Sequence, residues 1–386
     1  MRPSQRLLLS LTIALFTAGI EAHPQSVAVP LNPERWILGE KNERAMPGQD
    51  LSTNGKVVDH LGQQSLHLAR GFAYLRDFNL QNGAIDADMA FDPKGSFIGL
   101  AFRVQSEDSY ELFFFRKGAS GSVQAIQYTP GFLGANAWQI YNVPHYAGVG
   151  EFPSDQWFHV RVVVAGMEAR IYLNRAAEPA LVVPDLKQAY AGGSIGFWGQ
   201  SGGGYFANVS YTPDNATYAG DPPASFLPGT LTDWELSEMF DAGDKDPAVY
   251  PDVEKLHWEK VAAETPGMVV IQRYRRDPNI IPPGYGEKSG RVPGSKFVFA
   301  RTTIHADRDE VHKMNLGYSD QVVVFLNAKP IYSGNNAYHS REPDYLGLLD
   351  VNSDAVYLPL KKGDNELVLA VTEFFGGWGY ECRMAP

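Results

Sequence analysis

The chain has 386 residues, of which 12% are aromatic and 20% charged, and a formal net charge of −11. An acidic surface repels nucleic acid and anionic lipid, which excludes both as main partners, whereas neutral ligands such as sugars meet no such barrier. A single cysteine, Cys382, excludes an intrachain disulfide framework, and the length exceeds one compact core and suits two domains.

Residues 1–22 read as a secretory signal peptide, with Arg2 and Arg6 before an apolar run over 7–20 and a small-residue cut after Ala22. The run is shorter than a spanning helix and no later segment resembles one. The expectation is therefore a secreted or periplasmic protein with no membrane span.

From 26 to 213 strand candidates recur between turn residues, as an all-β sandwich requires. They fall at 65–70, 77–80, 83–91, 96–105, 109–117, 122–129, 138–143, 193–199 and 205–211. In 83–91, Ile85, Ala87, Met89 and Phe91 face one way while Asp86 and Asp88 face the other. In 96–105, Ile98, Leu100 and Phe102 share one face; Gly99, Ala101 and Arg103 share the opposite one, where small residues leave room for a ligand or another chain. Over 156–174, Phe158, Val160, Val162 and Val164 alternate with His159, Arg161 and Val163, Ala165-Gly166 turns the chain, and Ala169, Ile171 and Leu173 resume the pattern. Residues 214–228 carry Pro222, Pro223 and Pro228 among polar residues and read as a linker. Asn208-Val209-Ser210 fits a glycosylation triplet, which a bacterial-type export signal makes an accidental match. Beyond the linker, 229–386 holds strand candidates at 297–304, 320–327 and 363–372, with Val322, Val324 and Leu326 on one face.

Two resemblances follow from these segments. The Trp157-x-His159-Val160 strand, the Ile171-Tyr172-Leu173-Asn174 strand and Ser194-Ile-Gly-Phe-Trp198 resemble the closing strands of concanavalin A-like, laminin-G-like sandwiches. Gly99-Leu-Ala-Phe-Arg103 and Ser109-Tyr-Glu-Leu112 are similar to paired strands of the secreted 3-keto-disaccharide hydrolases, although the Asn-Ser-Gly that usually precedes them is absent here. In the second half, Trp234, the Asp320-to-Asn327 strand, Gly363-Asp-Asn-Glu-Leu367 and Trp378-Gly379 resemble the galactose-binding-like jelly roll of secreted glycoside hydrolases. The resemblance implies an all-β chain: a concanavalin A-like sandwich over 26–213 and a galactose-binding-like jelly roll over 229–386. Where that jelly roll often has Gly after Asn327, this chain has Ala328, so Asn327 is expected to take the positive φ.

Catalytic signatures are missing. There is no Glu-x-Asp-x-x-Glu strand, nucleophile elbow, His-Glu-x-x-His or phosphate loop. No metal ligand set or cofactor motif appears, although the aspartate content is compatible with a structural calcium. Asp86 and Asp88 read as solvated acids and His159 as a packing residue. Trp157 and Trp234 fit core positions. Sugar recognition needs aromatic faces and planar polar groups. In the first half the candidates are Arg103, Glu111, Gln127, Trp138, Tyr141 and Trp198, with Glu111 the one carboxylate offered for catalysis. In a long polar loop of the second half they are His339, Arg341 and Tyr345. The leading reading is a secreted, non-catalytic protein binding a neutral oligosaccharide or polysaccharide through two lectin-type domains. The alternative is a glycoside hydrolase using a carboxylate on the sandwich face. The oligomeric state stays open, as does a third role, a cell-surface module that meets protein; Cys382 reads as a buried small hydrophobe rather than a reactive thiol, for which no neighbouring base is evident.

Overall fold

A computed structural model describes residues 25–38, 55–133, 135–142, 145–189, 192–214, 225–276 and 295–386. The signal peptide read at 1–22 and most of the linker read at 214–228 lie outside the described residues. Within them the chain is all-β, built from strands and short 3-10 turns.

Strands up to residue 213 form two antiparallel sheets. The front sheet runs, in spatial order, Leu181–Val183, Glu168–Leu173, Phe158–Ala165, Gly83–Phe91, Gly204–Pro213, Gln63–Leu68 and Lys56–His60. The back sheet runs Ala135–Asn136, Ile126–Phe132, Ser109–Arg116, Phe97–Ser106, Ser194–Gln200, Gly71–Leu75 and Trp36–Leu38. Between them lie the inward residues that alternation picks out: Ile85, Ala87, Met89 and Phe91 from one strand, and Phe158, Val160, Val162 and Val164 from its neighbour. Ile98, Leu100 and Phe102 answer from the back sheet. The period-2 pattern thus sets the register, because a one-residue slip would turn each of these sets into water.

Strands after 225 form two more sheets. One is ordered Glu259–Ala262, Asp233–Leu236, Lys296–Ala306, Gly363–Glu373, Gln321–Leu326 and Lys329–Asn335; the other Met268–Val270, Gly379–Met384, Glu310–Ser319 and Asp354–Leu360. Val322, Val324, Leu326, Leu367, Leu369 and Val371 fill their core together with Trp234, Trp378 and Cys382. Cys382 is a buried free thiol. The tight turn after 321–326 places positive φ on Ala328 (64°) as well as on Asn327 (49°).

The two pairs of sheets are closely joined. Met268, Val270 and Leu349 complete the hydrophobic core of the first pair. Gln139, fully buried, donates to Leu346 O at 2.7 Å, while its backbone pairs with Gly376 O and with Leu349 N–H. Arg273 bridges Glu264 (2.7 Å) and Lys187 O (2.8 Å) with its guanidinium 4.0 Å from the Phe132 ring. Lys187, 8% exposed, reaches Asp185 at 2.6 Å and Thr265 O at 3.1 Å. Buried charges of this kind persist only when paired and hydrogen-bonded.

Candidate functional site

The outer face of the front sheet carries an open groove of about 1030 Å³ lined by polar groups. Its floor is the Gly83–Phe91 strand. On that face the strand presents Ala84, Asp86 and Asp88, so a small residue and short acids lie between bulkier neighbours. One wall is built by His159, Arg161 and Val163 of the next strand, with Tyr172 and Arg175 beyond; the other by Asn208, Ser210 and Thr212. Antiparallel register places Arg161 opposite Asp86 and Tyr172, and His159 opposite Asp88.

These side chains form one network. The His159 ring has Nδ1 2.8 Å from Asp88 Oδ1 and Nε2 3.2 Å from Asp86 Oδ1. Arg161 donates to Asp86 Oδ2 at 2.7 Å, and Asn208 donates to Asp88 Oδ2 and to Gln63 Oε1, each at 2.7 Å. Every carboxylate oxygen of the pair therefore has a partner. Asn208 is turned into this position by a bulge between Ala207 and Ser210, where its φ is 50°; bulges re-aim side chains in this way. The side chains of Asp86 and Asp88 are only 14% and 20% exposed, less open than the solvated acids the sequence suggests.

Farther along the same face, Tyr205 stacks on His60 (centroids 3.6 Å apart, planes 5° apart) and on His67 (4.5 Å). Tyr205 donates to Asp92 Oδ2 at 3.0 Å, and burial lowers the His67 pKa against the pull of Asp92. Trp157, read as a core residue, is half-buried with its edge toward His60 at 5.7 Å. Trp234 is buried in the second core, as read. Among the described residues no group of three or more His, Cys, Asp or Glu side chains is arranged to hold a metal ion.

The residues selected from sequence lie elsewhere. Arg103 does not share a face with Ala101. Its strand is irregular between Phe102 and Ser106, Arg103 takes φ 48°, and its guanidinium donates to Gly166 O while 3% exposed. The face it leaves is filled by Phe72, Tyr110, Phe114 and Trp198, so the space expected beside Gly99 and Ala101 is closed. Glu111 is fully buried: Oε2 accepts from the Tyr128 hydroxyl at 2.6 Å and Oε1 from the Gln188 N–H at 2.9 Å. Burial pushes its pKa up to about 7, opposed by those two hydrogen bonds. A sealed carboxyl cannot reach a ligand, so neither the binding nor the catalytic role read for Glu111 is available to it. Gln127 and Tyr141 are likewise fully buried. Gln127 ties down the carbonyl of Trp138 at 2.6 Å, and the Tyr141 hydroxyl donates to Glu264.

Trp138 and the 339–345 loop do come together across the junction. The Trp138 ring lies 6.1 Å from Tyr338, which stacks on His339 at 3.6 Å. Arg341 pairs with Asp354 at 2.8 Å and lies 5.3 Å from the Tyr345 ring, whose hydroxyl donates to Asn336 Oδ1. These groups satisfy one another across the junction. His159, Asp86 and Asp88 were visible to sequence reading as a strand pattern; their convergence required the inter-strand register. Asn208 carried no such signal.

Tyr128 supports the buried side of the sandwich. Its hydroxyl also accepts the Lys187 N–H at 2.8 Å. Tyr128→Phe leaves that N–H and one Glu111 oxygen without a partner, and should cost about 1–3 kcal/mol in equilibrium denaturation.

No family model and no curated protein matches the chain. Solved structures with a similar course of strands include a carbohydrate-binding module from Bacillus subtilis (12% identity, 46% of this chain and 94% of that one, TM-score 0.33). A Bacillus licheniformis beta-glucanase (8%, 50% and 99%, TM-score 0.32) and the Caenorhabditis elegans galectin LEC-6 (14%, 36% and 90%, TM-score 0.25) are others. At these identities and scores the likenesses do not bear on function.

Proposed function

We propose that the protein binds a carbohydrate chain in the front-sheet groove, without cleaving it. The observation that carries this reading is the network around His159. It holds planar polar groups, Asp86 and Asp88 on the floor and Asn208 and Arg161 on the two walls, in fixed orientation around an open groove. Sugar hydroxyls are bonded by pre-oriented groups of this type, and a site that is already ordered loses little entropy on binding. Each carboxylate oxygen retains acceptor capacity for a hydroxyl. Hydrolysis needs two carboxyls flanking the scissile bond, one acting as acid and the other as base or nucleophile. Here Asp86 and Asp88 are adjacent on one strand and both anchored to the same imidazole, an arrangement better suited to holding than to cleaving. Secretion fits this role and remains part of the proposal.

Titration calorimetry with a panel of plant and microbial polysaccharides tests the reading. Ser210→Trp places a large ring in the groove without touching the core. It should weaken binding at least tenfold, roughly the loss of one good contact. Absence of binding to every glycan in the panel, or full affinity in Ser210→Trp, would refute it.

A further inference from the structure

We infer that Arg175 reads an anionic group on the glycan, a carboxylate or a sulfate, so that the ligand is an acidic sugar chain. The inference rests on the groove being a glycan site, and it departs from the neutral ligand that the overall charge suggested. Arg175 occupies the turn after Glu168–Leu173, which the Ala176 N–H closes onto Leu173 O at 3.0 Å. Both central residues have positive φ, 51° at Asn174 and 60° at Arg175. That is a type I′ turn, whose second central position is normally glycine.

Asn174 has a local reason to be there. Its side chain accepts the His159 N–H at 3.0 Å, and asparagine tolerates this backbone region. Arg175 has none: it is exposed, it lines the groove, and no described acid or carbonyl pairs with it. A long side chain in a left-handed conformation is strained, and strain of this kind gathers at functional positions.

Among the described residues, the charges facing the groove leave Arg175 as an unmatched cation. Asp86 and Asp88 are occupied by His159, Arg161 and Asn208. Arg161 gives one nitrogen to Asp86, and its side chain is 43% exposed. Asp214 lies near the Gly83 end, on the opposite wall. The net negative charge does not forbid an anion here, because exposed charges beyond about 8 Å are screened at physiological salt. A guanidinium offers paired donors that match carboxylate or sulfate oxygens.

The test measures affinity for oligogalacturonate, its methyl ester, a sulfated galactan and a neutral galactan, using the full chain and Arg175→Gly. The wild type should prefer one or both anionic ligands over the methyl ester and the neutral galactan by about tenfold or more, with the preference fading as salt is raised. The carboxylated and sulfated arms identify which anion is read. Arg175→Gly should lose that preference, keep its affinity for uncharged chains and melt on the order of 1–3 °C higher as turn strain is released. Equal wild-type affinity for the acid and its ester, or a preference that survives in Arg175→Gly, overturns the inference while leaving the glycan site standing. A lower melting temperature in Arg175→Gly also overturns it, since the turn would then need the arginine structurally. No binding to any of the four ligands overturns this inference, and the glycan site falls with it only if every polysaccharide of the wider panel also fails to bind.

Discussion

His159→Ala is expected to weaken glycan binding by about a hundredfold, close to 3 kcal/mol, while leaving the sandwich folded. Among the described residues the imidazole links Asp86 and Asp88, at 3.2 and 2.8 Å. Without it two like charges on alternate residues of one strand lose their shared partner and repel. Arg161 and Asn208 then hold each acid separately, and the planar groups around the groove are no longer fixed. A polar site held loosely must be ordered by the ligand, and that entropy is subtracted from affinity. The fold should survive because His159 points away from the core, whose neighbouring contributors Phe158 and Val160 are unchanged. Calorimetry would read the affinity and far-UV circular dichroism the fold. His159→Gln, which retains a donor, should recover part of the loss; an alanine variant that binds normally would remove the network from the site.

Raising the pH from 5 to 8 should destabilise the protein through Glu111. Its folded pKa is pushed from an ordinary 4.5 to about 7 by complete burial. Between those values the folded chain binds a proton that the unfolded chain has released, so stability falls as pH rises. The contribution is fully present below the unfolded pKa and is lost by about pH 7. At 1.36 kcal/mol per pKa unit the loss is about 3 kcal/mol. Glu381, also shifted up to about 7 by burial, acts in the same direction. Urea denaturation at pH 5 and pH 8 measures the difference, and Glu111→Gln isolates the cause. The amide places a donor against Tyr128 or Gln188, so the variant should be less stable overall, yet its decline between pH 5 and 8 should be smaller by one group's share. An unchanged decline would mean that Glu111 does not titrate in this window.

The strands were legible because each presents one face to a core. Ile85-Ala87-Met89-Phe91 and Phe158-Val160-Val162-Val164 need only period-2 alternation, and the same holds for Val322-Val324-Leu326 in the second half. Which polar residues would face solvent was less legible, for two physical reasons. First, a polar residue in a strand reads as outward whether or not something distant covers it. Glu111, Gln127 and Tyr141 are closed off by the 187–188 segment, the 137–142 turn and Glu264, contacts that no local pattern encodes. Second, irregular backbone breaks alternation. Arg103 and Asn208 sit at irregular positions with positive φ, one turned into the interior and the other into the groove. The pairing of His159 with Asp86 and Asp88 was hidden for a related reason, since 73 and 71 residues separate the partners in sequence.

The claim on which the rest depends is that ligand occupies the front-sheet groove. Hydrogen exchange of the full chain, with and without a glycan selected from the panel, tests it most directly. Protection should rise in Gly83–Phe91, Phe158–Ala165 and Gly204–Pro213 and stay unchanged in the back sheet and in 335–348. Protection confined to 335–348, with the three groove strands exchanging as before, would contradict the account.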